Sequence, residues 1–115
     1  MYAIVDIETT GSYAANNGIT ELAIVLHDGN KIVDRYETLV NPQMPIPRYI
    51  QALTGIHDGM LEAAPLFQEI AGRVYEMLKD SVFIAHNVNF DYSFLKFHLE
   101  ASGFSFDAGS SVLSG

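Results

Sequence analysis

Two carboxylates stand two residues apart in Asp6-Ile7-Glu8, directly after Met1-Tyr2-Ala3-Ile4-Val5, an almost wholly apolar run. Such a run predicts a buried strand. Side chains of a strand alternate faces, so Asp6 and Glu8 point the same way with Cα atoms roughly 7 Å apart. Like charges at the rim of a core repel, and desolvating an unpaired carboxylate costs several kcal/mol. A hard divalent cation held through oxygen, Mg²⁺ or Mn²⁺, relieves both costs. The triplet also suits a solvated loop start, or a helix N-cap followed by a first-turn acid. Residues elsewhere in the chain have to decide between the two.

The elements that position these acids can be read from hydrophobic periodicity. Residues 12–18 are small and polar, a loop. Residues 19–27 are apolar on both faces, as in the middle of a sheet. Asp28-Gly29 signals a hairpin, and residues 31–40 return as a strand whose Lys31, Asp34, Arg35 and Glu37 suit a sheet edge. Asn41-Pro42, with Pro45 and Pro47, ends the sheet segment. A short helix is predicted over 48–53, stopped by Thr54-Gly55. A longer one follows over 65–79, with Pro65 in its first turn and Leu66, Ile70, Val74 and Met77/Leu78 on one face. Residues 81–85 form a short apolar strand. A last helix runs over 89–102, capped by Asn89, closed by Gly103 and apolar along Phe90, Phe94, Phe97 and Ala101.

This order predicts an α/β domain with a mixed sheet, three antiparallel strands plus a fourth parallel to the first. Ligands of such sheets gather outside the carboxyl ends of the parallel strands. Asp6 and Glu8 end the first strand, while His86, Asn87 and Asp91 follow the fourth. Acids from two distant stretches are thus expected at one edge of one sheet.

Composition limits the alternatives. With 115 residues, 49% hydrophobic and 17% charged, the chain is sized for one core-forming domain. It has no cysteine, which excludes disulfides and thiolate sites. No apolar run is long enough to span a bilayer and no signal-peptide pattern opens the chain, so a cytoplasmic protein without membrane contact is expected. Net charge is −8, and the six basic residues, Lys31, Arg35, Arg48, Arg73, Lys79 and Lys96, are scattered. Nothing resembles the basic stripe of a protein that grips many phosphates. Contact with a phosphodiester would need bound metal, backbone N–H groups or a basic partner.

The quoted residues also resemble a known family. Asp6-Ile7-Glu8-Thr9-Thr10-Gly11 is similar to the first exonuclease motif of the DEDD superfamily, and Ala85-His86-Asn87-Val88-Asn89-Phe90-Asp91 to its second. Val40-Asn41-Pro42, Pro45-Ile46-Pro47 and Thr54-Gly55-Ile56 resemble the segments between them in bacterial members. The group most resembled is the epsilon-type proofreading subunit of DNA polymerase III, of ribonuclease H-like fold, over residues 1–106. The resemblance implies a 3′-to-5′ exonuclease using two divalent ions, Mg²⁺ or Mn²⁺, with Asp6 bridging both, Glu8 on one and Asp91 on the other. It implies that Thr9, Thr10 and Gly11 approach the terminal nucleotide, and that Thr54, Gly55, Ile56 and Phe90 press on its base and sugar. The implied substrate is the 3′ end of a single strand, with DNA favoured and RNA left open, in proofreading or repair. A polymerase or a fused nuclease domain would be the partner in full-length relatives.

The resemblance also implies a downstream third motif, a base-catalysing His and a fourth acid, that these residues do not contain. His86 and Asp91 have the same five-residue spacing but belong to the second motif, so a structural role is expected for His86. His27, His57 and His98 are expected to be structural or solvated, and Asp107 lies in the wrong context for the fourth ligand. Residues 107–115 resemble neither the strand nor the helix that follows in relatives. The chain therefore reads as C-terminally truncated, lacking the last strand and helix, with an uncovered sheet face inviting self-association. Impaired turnover is expected, the alternative being an inactive remnant or interaction module that keeps the fold.

Overall fold

A computed structural model describes residues 1–107 and the backbone of residues 112–114. β1 (Tyr2–Thr9), β2 (Ile19–His27) and β3 (Ile32–Leu39) form an antiparallel meander, and β4 (Val82–Ala85) lies parallel to β1. This is the mixed sheet expected from the sequence. Alternation explains β1: Ala3, Val5 and Ile7 are buried, whereas Tyr2 and Ile4 are 39% and 44% exposed. The hairpin turns where Asp28 Oδ1 accepts the N–H groups of Asn30 and Lys31, both at 2.8 Å, while Gly29 takes φ +95°.

A fifth strand, β5 (Val112–Ser114), pairs in parallel with β4 and completes the order β3-β2-β1-β4-β5. This corrects the expectation that the tail adds no strand. Without it the outer edge of β4 would present unpaired N–H and C=O groups beside a core strand. Residues 108–111 and 115 lie outside the described residues.

Among the described residues, four helices follow the meander: α1 (Arg48–Thr54), α2 (Asp58–Leu61), α3 (Phe67–Leu78) and α4 (Val88–Ala101). α3 and α4 cover one face of the sheet, with Ile70, Ala71, Val74, Phe94, Leu95 and Leu99 packing on the inward residues of β1, β2 and β4. A smaller cluster of Ile46, Ile56 and Leu61 fastens α1 and α2 beside Leu39.

Three details differ from the periodicity reading. Pro65 stands before α3, because Leu66 is still extended and bridges Asn41; Glu69 closes the helix start by accepting the Leu66 N–H at 2.8 Å. α4 begins at Val88 with Asn87 as N-cap, so only His86 and Asn87 separate it from β4. Phe97 is 41% exposed and Ala101 is exposed, while Leu95 and Leu99 turn inward. The buried stripe of α4 follows Asp91, Phe94/Leu95 and Leu99, set by where the helix lies on the sheet. α2 and a 3₁₀ turn over Ala14–Asn16 had no periodic signal because each is about one turn long.

The two faces of the sheet should respond differently to mutation. Phe83 is buried against the rings of Tyr92 and Phe106. Phe83→Ala should therefore cost about 3–5 kcal/mol in urea unfolding. Ile4→Ser, on the open face, should stay within about 1 kcal/mol. Equal losses would refute the assignment of one packed and one open face.

Candidate active site

The end of β1 is where the two stretches meet. The β1–β4 ladder runs only from Tyr2/Val82 to Ile4/Ile84, so the strands part before Asp6. α4 fills the gap that opens, entering two residues after β4 ends. Its first turn carries Asp91, which is only 6% exposed, and the Ile7 backbone N–H donates to the Asp91 carboxylate. Asp6 is exposed and Glu8 half-buried on the opposite side of β1 from the core residues. A register shift between Glu8 and Thr9 bends the strand immediately after the acids.

Electrostatics shows how closely the acids crowd. Burial, reinforced by the charge of Asp6 and more weakly of Glu8, pushes the Asp91 carboxyl up to about 6. The Ile7 N–H and the start of α4 work the other way and are outweighed. Burial also raises Glu8, with Asp6 and then Glu21 adding to it. Asp6, Glu8 and Asp91 are thus brought together, as the sequence led us to expect. Glu21 was not anticipated. It stands opposite Glu8 across the β1–β2 ladder, a proximity fixed by strand register that no local pattern reveals.

The other candidate residues serve their own loops. Thr9 Oγ1 donates to the Gly11 carbonyl at 2.7 Å, and the buried Thr10 Oγ1 donates to Asn17 Oδ1 at 2.9 Å. Gly11 is pressed against the Asn17 side chain, where an added Cβ would come within 2.6 Å of Oδ1. Thr54 Oγ1 donates to the Ile50 carbonyl and accepts the Ile56 N–H. Gly55 closes α1 with φ +75°, and Ile56 is buried in the small cluster. Phe90 is half-buried against Phe94, with ring centroids 5.0 Å apart. His86 and Asn87 are exposed in the turn between β4 and α4.

Among the described residues, no three His, Asp or Glu side chains are placed so as to hold a metal ion. The donor chemistry nevertheless fits a hard divalent cation. The three acids offer oxygen only, the charge of Asp6 raises the proton affinity of Glu8 and Asp91, and a cation among them would reverse that shift. No helix among the described residues is long and apolar enough to cross a membrane.

Comparison with known proteins places the chain in a family. A family model described as Exonuclease, of the RNase T type, matches residues 3–105. A 3′-5′ exonuclease DinG of Staphylococcus haemolyticus is 48% identical over 95 residues, covering 83% of this chain and 11% of its own length. The corresponding Staphylococcus aureus protein is 42% identical over 95 residues, again covering 83% of this chain and 11% of its own length. The chain thus spans about a tenth of the length of these curated relatives. Among solved structures, exonuclease X in complex with 5′ overhanging duplex DNA is 32% identical with a TM-score of 0.69, covering 83% of this chain and 54% of its own. Apo exonuclease I, 16% identical, shares the fold with a TM-score of 0.82 over 93% of this chain and 26% of its own.

The crowding can be measured without any ligand. With its carboxyl near 6 in the folded state against 3.8 ordinarily, Asp91 binds its proton more tightly folded than unfolded. In chelated protein, its contribution to stability should therefore fall as pH rises from about 4 through 6. Asp91→Asn keeps an acceptor for the Ile7 N–H and removes the charge. At pH 7 in chelator it should raise unfolding free energy by on the order of 2 kcal/mol, the gain vanishing near pH 4. A destabilised or pH-independent variant would show that the acids do not repel.

Proposed function

This chain belongs to the RNase T exonuclease family, and we propose that it acts as a metal-dependent 3′-to-5′ exonuclease domain on the end of a DNA single strand. The observation that carries the reading is the crowding of Asp6, Glu8 and Asp91, contributed by β1 and α4, in which the charge of Asp6 bears on both Glu8 and Asp91. Asp6, Glu8 and Asp91 would hold the divalent ions, Mg²⁺ or Mn²⁺. Ions bound there would activate water and neutralise charge on the scissile phosphate and leaving oxygen.

The chain's own residues do the rest. The Ile7 N–H orients the Asp91 carboxylate, and α4 excludes water from its inner side. The Thr10-Gly11 backbone, which packs on the Asn17 amide because Gly11 has no Cβ, would meet the terminal nucleotide, and Phe90 would offer its ring to the base. Such contacts need no basic stripe, which suits a net charge of −8. Duplex with an overhang, the DNA in the exonuclease X complex, is the second substrate to try. The resemblance to an epsilon-type subunit points to proofreading or repair, with a polymerase or a further domain of a longer chain as partner. We assign no proton transfer to His86 at the exposed turn, and a general base commonly contributes about 10²–10⁴-fold. Low turnover by these residues alone is therefore part of the proposal, and the inactive module is its alternative.

Two measurements on the wild type and Asp6→Ala test this. Changes in groups that merely support metal ligands cost about 10–100-fold in metal affinity. Removing Asp6 should cost at least as much in Mn²⁺ binding followed by calorimetry. Mn²⁺-dependent release of nucleotides from a 3′-labelled single strand should drop with it. Equal Mn²⁺ binding by both proteins would overturn the reading; loss of binding without any wild-type cleavage would favour the inactive module.

A further inference from the structure

α4 touches the end of β1 twice. Seven residues beyond Asp91, two turns and about 10 Å along the same face, stands His98. Its ring sits among Phe67, Phe94 and Phe97, with centroids 5.8, 5.7 and 5.2 Å away. Nε2 lies 3.0 Å from the Asn17 carbonyl oxygen. Because that partner can only accept, the imidazole donates. Burial holds its pKa below the usual histidine range, so the ring is neutral at pH 7.

Asn17 passes this anchorage on. Its side-chain Oδ1 accepts from Thr10 Oγ1 at 2.9 Å, and its Nδ2 donates to the Tyr13 carbonyl at 2.9 Å. Thr10 Oγ1 in turn accepts the Gly18 N–H at 3.1 Å, and the Thr10 N–H donates to the Gly18 carbonyl at 2.9 Å. The Gly11 backbone lies against the same Asn17 amide. A continuous run of contacts therefore leads from α4 through His98 and Asn17 to Thr10 and Gly11.

We infer that His98 is a positioning residue, which by donating to the Asn17 carbonyl fixes the Thr10-Gly11 backbone relative to Asp91 so that a 3′-terminal nucleotide meets both. The inference rests on the nuclease reading for its substrate. It depends on geometry rather than titration, since the donated proton stays on Nε2. Helix α4 thus sets both the metal-side acid and the nucleotide-side loop, and one rigid element spaces the two halves of the site. Histidine suits the place because the ring fills an aromatic slot while its edge donates.

His98→Leu keeps the apolar packing and removes the donor, whereas His98→Gln keeps a donor of similar reach. Two readouts are followed in each variant after its thermal melt: amide exchange at Thr10 and Gly18, and anisotropy of a short 5′-fluorescein DNA strand with Mg²⁺. His98→Leu should exchange both amides about tenfold faster, since local opening is no longer opposed by the hydrogen bond. It should bind the strand about five- to tenfold more weakly, with Mn²⁺ affinity unchanged. His98→Gln should restore most of both. In an Asn17→Ala background, which keeps the carbonyl that His98 reaches but removes the amide that Thr10 and Gly11 contact, adding His98→Leu should weaken binding by less than it does in the wild type, because part of the run is already cut. Unchanged exchange, unchanged strand binding or fully additive losses would overturn the inference. A wild type that binds no strand, with the exchange effect intact, would instead remove the nuclease reading and the substrate role with it.

Discussion

Three carboxylates converge where β1 and β4 separate, and much of the local architecture makes sense as the means of tolerating that repulsion. A buried acid with its pKa near 6 is not a comfortable group. It survives because the parting of the strands frees the Ile7 N–H to donate to it, and because it lies in the first turn of a helix, where partial positive charge gathers. Neither contribution cancels the cost. The residual strain is of the kind that a divalent cation placed among the acids would release.

This constraint gives α4 its importance. The helix begins two residues after β4, which fixes its first turn over the strand ends, and its buried stripe of Phe94, Leu95 and Leu99 holds it against the sheet. A helix anchored along that length can place groups at both ends of the stripe with little freedom. Asp91 uses one end and His98 the other. Residues 9–18, which would otherwise be a loose connection, are tied to the same helix and to each other by side-chain hydrogen bonds. The site is thus assembled from one strand end, one loop and one helix.

The charge balance is consistent with such an arrangement. A family of enzymes acting on a polyanion is met here by a chain carrying a net −8 and few basic residues. Long-range attraction cannot supply the affinity. Under the proposed function, recognition would fall to short-range features: metal at the acids, backbone groups near Gly11, and stacking, none of which requires a basic surface. Such features would discriminate an end of a strand from its middle better than a charged groove does, because they are clustered at one rim.

Much of this was legible in the residues. Asp6 and Glu8 after an apolar run, Asp91 after another, Asp28-Gly29 between them and the three- and four-residue spacing before Lys79 fixed the mixed sheet and the meeting of the acids, because strand alternation and helix period are local properties. The parallel pairing of β4 with β1 followed from connection rules. What only tertiary structure decided depends on register and direction. Glu21 faces Glu8 through the β1–β2 ladder, Leu95 and Leu99 rather than Phe97 and Ala101 meet the core, and Val112–Ser114 finds an edge to pair with. His98 reached Asn17 across 81 residues of sequence. Local pattern carries no information about such meetings, since they are set by how rigid elements rotate and slide to bury the most apolar surface.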